Sequence, residues 1–144
     1  MAYLAKADLK THIYIAIITE IDRGDTTIIP LQIDAAISEA KSYCSRFDLV
    51  KLFDPAATGF VDDKNLLDKV KDLACWKIIK LANPNVNMEL FRTNYEDAIS
   101  WFEKVQSGKA DPGWPVPADD VDSDIKEGSQ VQMQSNTKRE NHYR

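Results

Sequence analysis

Glycine is sparse in this sequence, five residues in 144, and the five are nowhere spaced as a phosphate-cradling loop. Nucleotide chemistry of that kind is therefore set aside. Histidine is sparser still. His12 and His142 stand near opposite ends, with no cysteine or carboxylate at ligand spacing beside them, so the sequence supports no metal site. Cysteine is limited to Cys44 and Cys75, both on apolar faces of predicted helices. They read as buried thiols of a reducing compartment rather than as a disulfide. Long apolar runs are missing, the longest being far too short to cross a bilayer. The opening residues, MAYLAKADLK, lack the charged-then-apolar order of a signal peptide. No membrane partner is expected. Basic charge is in deficit, with 18 Lys and Arg against 23 Asp and Glu and a net charge of −5. Bulk attraction to nucleic acid is thereby disfavoured.

Catalytic groupings are equally thin. Cys44 would need a histidine base, and His12 is the candidate within the body of the chain. Serine, histidine and aspartate occur without an elbow or glycine context. Neither an enzyme nor a cofactor is expected. Asp120, Asp122 and Asp124 imitate the start of a calcium loop, but Ile125 and Val131 stand where that loop needs glycine and glutamate. Arg23-Gly24-Asp25 reads as a helix stop followed by a helix start rather than as an adhesion tripeptide. A helix-turn-helix DNA reader is also disfavoured: the helix after Gly24 begins Thr-Thr-Ile-Ile-Pro and carries Asp34 and Glu39, which repel phosphate.

What the chain does contain is helical periodicity. Leu66 to Ala82 is the least polar helix-length run and should lie at the centre. Leu67, Val70, Ala74, Ile78 and Leu81 recur on one face, widened by Leu66 and Leu73, with Cys75, Trp76 and Ile79 on the other side. Lys77 interrupts the main face. It is either a stem whose ammonium reaches the rim or half of a buried pair with a carboxylate. Upstream, Tyr3 to His12 predicts a short helix with Leu4, Leu9 and Ile13 inward. Ile13 to Ile21 continues it or forms a second short turn, stopped at Gly24. Asp25, Thr26 and Thr27 offer caps for a long amphipathic helix with Pro30 in its first turn. Ile33, Ile37, Ala40, Cys44 and Phe47 form its stripe, with Ala36 and Tyr43 beside it. Asp48 to Asp63 predicts a loop pinned by Leu52 and Phe53, and Asp62 or Asp63 caps the central helix. Asn83-Pro84-Asn85 ends that helix. The last helix runs from about Asn87 to Ser107 with Phe91, Tyr95, Ala98, Phe102 and Val105 buried, and Gly108 closes it.

The fold expected is all-α: a small bundle of four to five helices over 1–108, followed by a proline-containing exit and polar tail over 109–144. The tail is acidic first (Asp119, Asp120, Asp122, Asp124, Glu127) and basic last (Lys138, Arg139, Arg144), a pattern suited to docking along a charged neighbour. Trp114, near Pro112 and Pro115, is the best single interface anchor, since a rigid aromatic loses little entropy on docking. The alternative is that Trp114 folds back on its own body.

Three segments together resemble a phage family. Asp34-Ala35-Ala36-Ile37 through Tyr43 to Ser45-Arg46-Phe47-Asp48-Leu49 is similar to its helix, Tyr, then Arg-aromatic-Asp/Pro-Leu segment. Val70-Lys71-Asp72-Leu73-Ala74-Cys75-Trp76-Lys77 is similar to its second helix. Arg92 to Phe102, ending at Gly108-Lys109, is similar to its third. The family is the Mu-type head-completion proteins, related to the head–tail connector (adaptor) proteins of tailed phages. The likeness covers roughly Tyr3 to Gly108. Cys44 stands where a leucine is usual, and the tail after Pro117 has no counterpart. The resemblance implies a virion protein made in the cytoplasm of a bacterial host. It implies a homo-oligomeric ring below the portal protein, docking tail or other connector proteins, with DNA only passing through its channel and no catalysis. The other function considered is a helical adaptor or regulator that binds a single protein and has no virion role.

Overall fold

A computed structural model describes residues 1–81 and 86–118. Among these residues the chain is all-helical. A 3-10 helix at Lys6–Thr11 is followed by five α-helices: α1 (Ile15–Asp22), α2 (Ile28–Tyr43), α3 (Leu49–Phe53), α4 (Lys64–Ile79) and α5 (Met88–Gln106).

The α4 helix is the centre, packed against both α2 and α5 and touching α1. Leu66, Val70, Leu73, Ala74, Cys75, Ile78 and Ile79 are all buried, so the helix is covered on more than one side, as its apolar breadth requires. It starts at Lys64 because the Asp63 carboxylate accepts the N–H groups of Asn65 and Leu66 at 2.9 and 3.1 Å. The predicted face differs at both ends. Leu67 is half-buried, and Leu81 is exposed because the helix stops at Ile79 and Leu81 has left its register. Ala82 lies outside the described residues.

The first predicted helix is a 3-10 segment, separated from α1 by extended Tyr14. The spacing explains the break. Leu9 to Ile13 is a step of one turn, but Ile13 to Ile18 is five residues, which in a continuous helix rotates the buried side by about 140°. Bending the chain lets Leu4, Leu9, Ile13, Ile18 and Ile21 all reach the core. Beyond α1, Arg23 and Gly24 both take left-handed backbone angles (φ 49° and 84°), reversing the chain before α2. Asp25 accepts from the Thr27 N–H and hydroxyl at 2.9 and 2.6 Å, shaping the turn rather than capping the helix directly. Ile29, Ile33, Ala36, Ala40, Cys44 and Phe47 form the buried stripe, and Ile37 is half-buried.

The predicted loop from Asp48 to Asp63 contains α3, capped by Asp48, which accepts from Lys51 N–H at 3.3 Å. Leu52 and Phe53 on it are buried as expected. Asn87 caps α5, whose Ala98, Phe102 and Val105 are buried while Phe91 and Tyr95 are half-buried. The compact body does not stop at Gly108. Residues 109–118 turn back over it, with Ala110 N–H donating to Lys104 O at 3.1 Å and Asp48 N–H to Pro115 O at 2.9 Å.

Candidate functional site

Trp114 does not face outward. Its side of the arm is set by Gly113 (φ 70°), whose N–H is accepted by Asp111 at 2.9 Å. The indole is 6% exposed and lies edge-on to Phe47 and Trp101, with ring centroids 5.1 and 5.9 Å away. Its N–H donates to Asp63 Oδ2 at 2.7 Å. Asp63 thus serves two elements, capping α4 with one oxygen and seating the indole with the other. Arg46 closes the seat, its guanidinium 4.6 Å from the Phe47 ring and donating to Val105 O at 2.7 Å. The expected outward anchor is therefore spent within its own chain, because a buried indole gains both apolar contact and a charged acceptor. Pro112 and Pro115 are half-buried beside it. Lys138, Arg139 and Arg144 lie outside the described residues, as do His142 and the calcium-like run from Asp120.

Lys77 takes the paired alternative. Its ammonium is 2.7 Å from Glu39 Oε2, and Glu39 Oε1 accepts from the Tyr95 hydroxyl at 2.7 Å. The group joins α4, α2 and α5. Burial, then the bond to Glu39, pushes the Tyr95 hydroxyl up to about 12, so it stays a donor. Cys44 and Cys75 are buried free thiols, each pushed up to about 12 chiefly by burial, which removes the thiolate that nucleophilic chemistry requires.

Two shallow apolar grooves flank α1. One, of about 440 Å³, is lined by Tyr14, Ile17, Val86, Leu90 and Phe91 among others, and His12 borders it. The second, of about 490 Å³, is lined by Ile21, Ile28, Leu31 and Leu81 with Arg23 and Gln32. Ile17 and Ile21 are one turn apart, so both grooves border the same helix and are referred to together as the α1 strip. Elsewhere Val50 on α3 and Val116 on the arm are exposed, each bordering its own shallow hollow.

A polar cluster that the sequence reading missed lies where the N-terminal segment crosses α4. His12 Nε2 is 2.9 Å from Asp68 Oδ1 and 3.7 Å from Asp72 Oδ1. The two aspartates are one turn apart on α4. Burial pushes the Asp72 carboxyl up to about 6, against the opposing pull of His12. The signal available in sequence was the Asp68–Asp72 pair on a helix expected to be central. The crossing that brings His12 to it is tertiary and leaves no spacing rule along the chain.

Set against protein-family models, curated proteins and solved structures, the chain finds no match in any of the three.

Proposed function

We propose that this chain is a structural ring subunit of the head–tail connector of a tailed phage, placed below the portal and docking tail or further connector proteins. The order of the three helical segments supports the reading. One observation supports it physically: among the described residues, apolar side chains are exposed in unlike places, the grooves beside α1 and Val50 on α3. A ring needs this, since head-to-tail closure joins two unlike surfaces, whereas a two-fold dimer needs one self-complementary surface. In this reading the acidic excess keeps passing DNA from adhering to the channel wall, as like charge disfavours phosphate contact. The protein works by contact alone, in the virion.

Light scattering on the eluting full chain, with electron microscopy of the particles, tests assembly. Leu90→Asp alters the α1 strip at a residue 55% exposed, and Val50→Asp alters the α3 surface at one 61% exposed, so both variants keep the fold. Each alone is expected to abolish rings. An equimolar mixture is expected to stop at dimers, because one intact surface of each kind remains. A wild-type chain that stays monomeric with and without portal protein sinks the reading and leaves the single-partner adaptor.

A further inference from the structure

We propose that His12, Asp68 and Asp72 bind one divalent transition-metal ion, which clamps the N-terminal 3-10 helix to α4. The three ligand atoms lie within 4.8 Å of one another. Ligands at about 2.0–2.1 Å around a tetrahedral zinc ion stand about 3.3 Å apart. The His12 separations of 2.9 and 3.7 Å from the two carboxylate oxygens bracket that edge. A small adjustment of Asp68, whose side chain is 52% exposed, completes the set, while His12 and Asp72 are held at 16% and 12%.

The hydrogen bonds behind His12 orient it for this role. Thr11 Oγ1 donates its own proton to Asp8 O at 3.4 Å and accepts from the Lys71 ammonium at 3.2 Å. His12 Nδ1 lies 2.7 Å from the same oxygen, and with a metal on Nε2 it is the Nδ1–H that donates to it. Nε2 is left as the nitrogen facing the two carboxylates, the arrangement by which an outer partner fixes a metal-ligating imidazole. Two carboxylates and an imidazole match the charge of a divalent ion and leave a position open to water. The imidazole nitrogen favours a borderline transition metal such as zinc over magnesium or calcium, which take oxygen ligands. The alternative is a proton on Nε2 donated to Asp68 Oδ1, with no metal.

Calorimetric titration of the full chain, first stripped with EDTA, separates the two. Zinc chloride is expected to bind saturably at one ion per chain, and magnesium chloride at the same concentrations is not. His12→Gln and Asp68→Asn are each expected to weaken zinc binding at least about tenfold, whereas His142→Gln leaves it unchanged. Asp68 sits at the surface, so its variant folds and decides the matter even if His12→Gln does not. Absence of saturable zinc binding overturns the proposal, as does binding that survives Asp68→Asn or disappears with His142→Gln. The readout is ion capture by a single chain, so its failure is distinct from a failure to form rings.

Discussion

At the scale of single residues, two polar-tipped side chains bridge elements and make the sharpest tests of the packing. Trp114 is the first. Trp114→Ala removes a buried ring from between Phe47 and Trp101 and strips Asp63 of a donor. Large-to-small changes of this kind cost about 3–5 kcal/mol. Urea unfolding followed by circular dichroism checks it, and a loss below about 1 kcal/mol would mean that the arm is undocked in solution. Trp114→Phe keeps most of the apolar contact and loses the bond to a charged acceptor, an expected cost of about 1.5–3 kcal/mol. Lys77 is the second. Lys77→Met leaves the largely buried Glu39 carboxylate with Tyr95 as its remaining partner. About 2–3 kcal/mol is expected, below the figure for a fully buried pair because both groups retain some solvent. Adding Glu39→Gln removes the stranded charge while keeping an acceptor for Tyr95, and should recover most of the loss in the same unfolding assay. Both side chains were visible in the sequence as residues that did not fit. Lys77 interrupted an apolar face and Trp114 stood near prolines outside any helix. What was not visible was the partner, since Glu39 and Asp63 look like ordinary helix-surface and capping carboxylates until the helices are packed.

At the scale of elements, length decided what could be read. The α2, α4 and α5 helices run 16, 16 and 19 residues, long enough for apolar spacing to repeat over four or five turns. Their caps at Asp63 and Asn87 stand where the pattern begins. The α3 helix has five residues, a little over one turn, so its periodicity cannot be distinguished from an apolar pair within a loop. The N-terminal division into a 3-10 segment and α1 was half legible, because the five-residue step from Ile13 to Ile18 marks a change of direction without fixing the backbone type. That segment is tied down by charge. The Asp22 carboxylate accepts from the Lys6 ammonium and, at 3.0 Å, from the Gly24 N–H. These two bonds, the lysine's first, hold its carboxyl below the ordinary value of 3.8. A carboxyl lowered in the folded state contributes stability that is full above its ordinary value and is lost as pH falls through its folded value. Amide protection across residues 6–22, the exchange rate corrected for its intrinsic pH dependence, should therefore fall selectively as pH drops below about 4. In Asp22→Asn that acid step should vanish, the protection being lower at neutral pH and flat through the acid range. Unchanged acid sensitivity in the variant would assign the step to other carboxylates.

At the scale of the whole molecule, the question is where the cooperative unit ends. Composition alone divides the chain at Gly108, where helical periodicity gives way to prolines. The packing does not divide there. Pro115 accepts from the backbone of Asp48, Ala110 donates to α5, and the indole of Trp114 fills a seat made by Phe47 in the turn after α2, the cap of α4 and Trp101 of α5. The polarity change thus marks the end of a helix and not the end of the core. The reason is physical: an extended segment carries no periodicity, so one buried aromatic within it leaves no pattern to recognise. Two truncations separate the views. Chains ending at residue 118 and at residue 108 share every helix and differ only by the arm. If the body closes at Gly108, the two unfold at the same urea concentration. If the arm is part of the core, the shorter chain is less stable by at least about 3 kcal/mol, the cost of losing one large buried aromatic. It should also bind a hydrophobic dye, because Phe47 and Trp101 lose the indole that covers them. Refilling the seat then becomes a second measurement. A peptide of residues 109–118 added to the shorter chain should suppress the dye signal, and the same peptide with Trp114→Ala should leave it.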